Sequence, residues 1–273
     1  EAALAPLRGA QLEEIKDALE TPRVGVVFTA HPTFSMSRAL RAALGALASD
    51  PAAKVDLDAL EHAPDTGITL RDEHADVRAA ILHAQAALRD LSSAVLDWLE
   101  QNAPGDWWSV QPALVRLATW VGYDLDGRID IHWAETIRIR LTEKAQQLIH
   151  YAEALKAVGS AGECGALAER LARAGAATSR LAAQFEKDLD DPATIVTAAN
   201  MLTADGADRI VTLAPEIEVL GALIAAEKDA ARRKALWVVR AEMAGFGLGL
   251  AAIHFRVNAS QVRSAVQADL GLS

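Results

Sequence analysis

Three short apolar runs, widely separated along the chain, constrain the fold of this sequence more than any other feature. They cover residues 24–29 (VGVVFT), 117–122 (LATWVG) and 245–255 (GFGLGLAAIHF). Short continuous runs of this kind predict strands buried on both faces, as in a parallel sheet. Polar residues follow the end of each apolar run. In parallel α/β barrels the reactive side chains lie at the carboxyl ends of the strands. We therefore expect three parallel strands whose ends share one edge.

About a hundred residues of helical pattern separate successive runs. Alanine contributes much of the 51% apolar composition, and alanine with Leu, Glu and Arg is typical of helices. Asp130 is a predicted N-cap. The predicted helices cover residues 11–19, 35–47, 70–101, 112–118, 132–157, 163–188, 192–202, 214–228 and 230–244. The pattern predicts a mainly α fold with a few short parallel strands, and three strands are too few to close a barrel, which takes about eight.

Charge and composition exclude several classes of function. The formal net charge is −10, and an acidic surface repels phosphate backbones, so we expect no nucleic-acid partner. The longest apolar stretch, residues 243–255, is too short to cross a bilayer, so we expect no membrane partner. The single cysteine, Cys164, cannot form an intramolecular disulfide, and no signal-peptide pattern opens the sequence. These features predict a cytoplasmic protein.

The first candidate for chemistry is His31, directly after the first predicted strand and before a proline. An imidazole held at a strand end can act as an acid, a base or a cationic donor near neutral pH. The residues alone favour the simpler interpretation, a histidine that satisfies a strand end.

The second candidate is the stretch after residue 122, which holds Asp124, Asp126 and Gly127. Two carboxylates two residues apart beside a glycine can bind a divalent cation or form a tight turn. The spacing alone favours the turn.

The third candidate is Arg256, at the end of the third apolar run. Its guanidinium can clamp a carboxylate or a phosphate with paired N–H donors. An ordinary strand-end arginine in a surface ion pair fits the sequence equally well.

All three stretches resemble motifs of the phosphoenolpyruvate carboxylase family, in the family's order and at comparable separations. Residues 28–33 (FTAHPT) match the family's histidine motif at six consecutive positions, and residues 122–127 match four positions of its glycine–aspartate motif. In residues 246–256, the arginine follows the phenylalanine by ten positions, as it does in the family. The resemblance implies a helix-rich (β/α)8 barrel of the TIM type, of which residues 1–273 are a single N-terminal portion.

The resemblance also implies roles for individual residues. His31 is expected to be essential for carboxylation, and Arg256 and Arg38 are expected to hold the substrate. The remaining matches are expected to organise the site: Thr29, Thr33, Asp124, Asp126 and Gly127.

Several positions depart from the family pattern. Leu125 replaces the central arginine of the glycine–aspartate motif, and no leucine can imitate a permanent cation. The other departures near the motifs are Phe34, Ser37, Tyr123, Arg128, His254 and Val257. Leu125 is the most serious of them.

The implied reaction joins bicarbonate to phosphoenolpyruvate and gives oxaloacetate and phosphate. It requires Mg²⁺, whose ligands are expected outside this chain, and the full-length protein is expected to be a homo-oligomer. Residues 1–273 alone are expected to have no turnover.

Two other interpretations stay open. The chain could come from a non-catalytic relative with a decayed site that serves binding or regulation. Alternatively, it could be an unrelated helical interaction domain, which predicts that Thr29, Asp124 and Arg256 lie far apart.

Overall fold

The computed structural model describes residues 2–29, 34–124, 131–256 and 258–271, and most of them are helical. Short 3₁₀ helices lie at Ala2–Leu7 and Trp107–Ser109. The α-helices of the described part are α1 (Leu12–Leu19), α2 (Arg38–Ser49), α3 (Leu70–Asn102), α4 (Trp133–Val158), α5 (Gly162–Gln184), α6 (Pro192–Thr203), α7 (Ala214–Ala226), α8 (Ala230–Phe246) and α9 (Ala259–Asp269).

The three apolar runs form one parallel sheet. Its strands are β1 (Val24–Phe28), β2 (Val115–Thr119) and β3 (Ala252–Ile253), in the order β1-β2-β3. Phe28 is in register with Thr119, and Thr119 with Ile253, so the three strands end side by side. The predicted mainly α fold with a few short parallel strands is confirmed.

Three apolar clusters hold the helices and the sheet together. The largest joins α1, the C-terminal half of α3, α4, α5, α7 and α8, and Trp237 and Leu148 are completely buried in it. A second cluster packs one face of β2 against α3 and α4 through Leu117, Ile81 and Ile139. A third joins α4, α5 and α6. The sheet is therefore held from one side by two long helices.

Sequence signals explain where several of these helices begin. Thr69 and Asp72 form a reciprocal capping box at the start of α3, and Asp191 accepts the Thr194 amide proton at the start of α6. The predicted cap of α4, Asp130, lies outside the described residues. The N-cap of α4 in the structure is His132, whose ring accepts the amide proton of Ala134.

Some details of the predicted elements are wrong. The predicted helix over residues 112–118 does not form, because β2 already begins at Val115 and takes up most of this segment. The third run gives only a two-residue strand, since α8 continues to Phe246 and Gly247 then ends it at a φ of 63°. Helix α9 follows β3 and was not predicted.

The prediction that the first strand is buried on both faces is also wrong. Val24, Val26 and Val27 are 54%, 40% and 40% exposed. β1 lies at an edge of the sheet formed by the described residues and pairs with β2 alone there. The side chains of these three valines therefore face solvent in this structure, whereas Phe28 packs against the second cluster.

Among the described residues, no helix combines the length and the apolar character needed to cross a membrane.

Gly122 makes the turn after β2 possible. Its φ is +87°, a region that side chains with a Cβ rarely adopt. A Cβ at this position would also lie 2.7 Å from Cδ1 of Ile139, which is completely buried in α4. The turn that leads to Asp124 therefore requires glycine for two separate reasons.

We predict that Gly122→Ala lowers the free energy of unfolding by about 2–3 kcal/mol, from backbone strain together with displacement of Ile139. The control is Gly67→Ala, which has a similar φ of +85° and nothing within 4 Å of the added Cβ. It should cost about 1 kcal/mol from strain alone. Urea unfolding of both variants measures the difference, and equal losses would contradict a steric role for Ile139.

Candidate functional site

Thr119 connects the ends of all three strands. Its hydroxyl donates to the carbonyl oxygen of Phe28 in β1 at 3.0 Å and accepts the amide proton of Val121 at 3.1 Å. Its own carbonyl oxygen accepts the amide proton of His254, directly after β3, at 2.9 Å. Thr119 is only 2% exposed, so these bonds satisfy a buried polar group. One residue therefore joins β1, β2 and the segment after β3 at the carboxyl edge of the sheet.

Asp124 and Arg256 meet just beyond that edge. They form an isolated parallel bridge, in which the Arg256 amide donates to the carbonyl oxygen of Tyr123 at 3.3 Å. The Arg256 Nη1 lies 3.1 Å from Asp124 Oδ2, and its guanidinium carbon lies 5.7 Å from the centre of the Trp120 ring. The backbone, a carboxylate and an aromatic ring therefore all position the arginine.

The Arg256 side chain remains accessible from solvent in this geometry. The Arg256 side chain is 50% exposed, whereas that of Asp124 is 18% exposed. An arginine held in this way can present N–H donors to a carboxylate or a phosphate on its solvent side. The sequence was also compatible with an ordinary strand-end arginine in a surface ion pair, and that ion pair is present, with Asp124 as the partner. At this exposure the pair contributes only about 0–1 kcal/mol to stability.

The contact between Asp124 and Arg256 bears on the interpretation of the chain as an unrelated helical domain. That interpretation predicts that the motif residues lie far apart, and for this pair the prediction is wrong. Thr29 is half-buried and follows directly after β1. The last residue of β1, Phe28, pairs with Thr119. His31, Thr33, Asp126 and Gly127 lie outside the described residues.

Arg38, the other predicted substrate-binding residue, lies at the start of α2. Its side chain is 64% exposed and reaches Asp72 of α3 at 3.9 Å. Among the described residues, the structure does not bring Arg38 into contact with Asp124 or Arg256. Its predicted role stays a prediction.

Two departures from the family pattern have structural roles in this chain. Ser37, where the family has an arginine, caps α2 by accepting the Leu40 amide proton at 3.3 Å. Phe34 packs its ring 5.2 Å from the guanidinium carbon of Arg41. Leu125, Arg128 and Val257 lie outside the described residues.

A buried carboxylate beneath the sheet edge was missed by sequence reasoning. Glu143 of α4 is 2% exposed and accepts from the Tyr123 hydroxyl at 3.0 Å. The His74 Nε2 of α3 lies 3.0 Å from Glu143 Oε1, and Arg140 Nη1 lies 3.5 Å from Oε2, the oxygen that accepts from Tyr123. Burial, and then the charge of Glu143, raise the pKa of Tyr123 well above its usual range, so the phenol stays a donor.

This buried group holds the turn before Asp124 against two helices. Tyr123 lies next to Asp124 and carries the carbonyl oxygen that binds the Arg256 amide, so Glu143 positions the site indirectly. The one available signal was a glutamate within the apolar pattern of α4, and charged residues are rarely buried unless they are paired. His74 of α3 is a buried partner of this carboxylate.

Among the described residues, no group of three or more His, Cys, Asp or Glu side chains is placed to hold a metal ion. The prediction that the Mg²⁺ ligands lie outside this chain stays a prediction.

Comparison with known proteins adds no relative. No protein-family model matches the sequence, and no curated protein is significantly similar to it. The resemblance to phosphoenolpyruvate carboxylases is therefore carried by the three motifs alone.

We predict that Tyr123 and Glu143 are energetically coupled. Tyr123→Phe should lower the free energy of unfolding by about 1–3 kcal/mol, because it leaves a buried carboxylate oxygen without its donor. In a Glu143→Gln background the same change should cost at least 1 kcal/mol less. Urea unfolding of the wild type, both single variants and the double variant measures this coupling, and strictly additive losses would show that the hydrogen bond contributes nothing.

Proposed function

We propose that this chain contributes three strands to the barrel of a longer phosphoenolpyruvate carboxylase-like enzyme. The supporting observation is the contact between Asp124 and Arg256, which come from two motifs 132 residues apart and meet at the carboxyl edge of a parallel sheet. Active sites of parallel α/β barrels are built at this edge. Further strands would have to come from the rest of such a parent, since closure takes about eight.

The exposed valines of β1 agree with this proposal. A barrel strand has neighbours along both edges and is buried on both faces, and the composition of β1 suits such surroundings. In the described residues, the edge of β1 away from β2 is open. A further strand along that edge and a barrel interior would remove Val24, Val26 and Val27 from water.

Arg256 is the residue that would hold the phosphate of phosphoenolpyruvate. Asp124 and the Trp120 ring fix the guanidinium, so little side-chain freedom remains to be lost when an anion binds. The Arg256 side chain is 50% exposed, so an incoming phosphate can reach it from solvent. Fixed donors of this kind also stabilise charge that develops during a reaction.

The proposed reaction has two steps. A bicarbonate oxygen attacks the phosphorus of phosphoenolpyruvate, the bond to the enol oxygen breaks, and carboxyphosphate and the enolate of pyruvate form. Carboxyphosphate then gives carbon dioxide and phosphate, and the enolate carbon bonds to carbon dioxide to give oxaloacetate. In the family's pattern His31 steers this second step, while Arg256 retains the phosphate. Mg²⁺, bound by residues beyond this chain, would supply the electrophilic charge.

A second candidate function is that of a non-catalytic relative that binds an anion at the same edge. The substituted motif positions favour it, because Ser37 caps α2 and Phe34 packs on Arg41 instead of serving a substrate. Leu125 removes a cation that the family's motif provides. Such a protein would keep Arg256 as an anion contact without turnover.

Catalysis by the proposed full-length parent tests the assignment. With phosphoenolpyruvate, bicarbonate and Mg²⁺, it should form oxaloacetate, measured as NADH consumption by malate dehydrogenase. Arg256→Gln should lower kcat/KM at least about 30-fold, because it removes a charge-assisted contact to phosphate. His31→Ala should abolish turnover.

Two control variants should keep full activity. Arg263→Gln removes an exposed arginine of α9 seven residues further on, and Cys164→Ala alters a buried thiol in the helical core. An inactive parent would support the non-catalytic relative. Oxaloacetate formation by residues 1–273 alone would refute the claim that the remaining strands are required.

A further inference from the structure

A cavity lies away from the sheet, between α4, α5, the end of α6 and the loop that leads to α7. Its volume is about 500 Å³, within the range of small-molecule sites. Apolar side chains, among them Leu141, Leu181 and Met201, form part of its wall. Three cationic side chains also line it: Lys144 of α4, Arg180 of α5 and Arg209 of the loop.

The carboxylates at this cavity are already engaged with arginines. Asp205 pairs with Arg209 at 3.2 Å, and Asp208 pairs with Arg173 at 3.2 Å. Lys144 is half-buried, and within the described ranges neither it nor Arg180 pairs with a carboxylate. Lys144 and Arg180 therefore give this cavity positive charge that no carboxylate of the described residues pairs with.

The surroundings of Lys144 are unfavourable for its charge. Burial lowers the pKa of Lys144, and the nearby positive charges of Arg209 and Arg140 lower it further. An anion in the cavity would relieve both effects, since it would pair with the ammonium group and offset the neighbouring guanidinium groups.

The apolar wall restricts what kind of anion fits. Met201 is 40% exposed and Val211 is 64% exposed at the rim, so an inorganic ion would leave this apolar surface in contact with water. A ligand with an apolar portion would cover it and gain about 25 cal/mol for each Å² removed from water.

We propose that this cavity binds a small organic anion whose charged group contacts Lys144 and whose apolar portion packs against the wall that includes Met201. The assignment is independent of the carboxylase proposal, because none of the residues at the strand ends takes part. Failure of either one leaves the other standing.

The test uses 8-anilinonaphthalene-1-sulfonate, an aromatic sulfonate whose fluorescence rises in apolar sites. We expect saturable binding to the chain that weakens about tenfold in Lys144→Gln, from the loss of one charged contact. Lys156→Gln is the matched control, because Lys156 lies on the same helix, is exposed and does not line the cavity. Its affinity should equal that of the wild type.

A second variant tests the apolar wall. Met201→Asp places a negative charge at the rim and should weaken binding by more than tenfold, while circular dichroism should show unchanged folding because Met201 is partly exposed. Octanoate should displace the dye, whereas inorganic phosphate at the same concentration should not.

Three results would overturn the assignment. The first is equal dye affinity in the wild type, Lys144→Gln and Met201→Asp. The second is a loss of affinity in Lys156→Gln as large as that in Lys144→Gln. The third is displacement by phosphate as effective as that by octanoate, which would leave the apolar wall without a role.

Discussion

The parallel pairing of β2 with both of its neighbours is the constraint on which the candidate site depends. Thr119 makes this pairing continue to the last residue of each strand, because its hydroxyl binds β1 and its carbonyl oxygen binds the segment after β3. Parallel ladders are slightly less stable per residue than antiparallel ones, so helices must support such a short sheet. The apolar cluster with α3 and α4 and the buried Glu143 carboxylate provide that support.

Local sequence patterns were sufficient to find the strands but not their surroundings. The β-branched run at residues 24–29 predicted β1 correctly, because β-branched side chains pack well on a pleated, partly buried surface. Its predicted burial was wrong, because burial depends on neighbouring strands that a local pattern cannot supply. The boundaries of β3 were wrong for a different reason. Residues 243–246 are all small or apolar, and such a short run fits a helix as well as a strand. Helix α8 continues through them until Gly247, which has a positive φ.

The candidate site was partly predictable. The rule that parallel strands end at one edge predicted that Asp124 and Arg256 lie close together, although 132 residues separate them. Nothing local predicts that Tyr123 binds Glu143, because such a contact depends on how α4 packs under the sheet. Nor does a local pattern predict that Lys144, the next residue in sequence, lines the cavity between α4, α5 and the end of α6. Helix geometry turns adjacent residues to different sides, and only tertiary packing decides what each side meets.

The alignment of the strand ends can be measured directly by NMR spectroscopy in solution. A long-range HNCO experiment on the deuterated chain detects scalar coupling across individual N–H···O=C hydrogen bonds. The structure predicts cross-peaks from the His254 amide to the Thr119 carbonyl carbon and from the Arg256 amide to that of Tyr123. If both cross-peaks are absent and both amides exchange freely with solvent, β3 does not pair with β2, and the site formed by Asp124 and Arg256 does not exist.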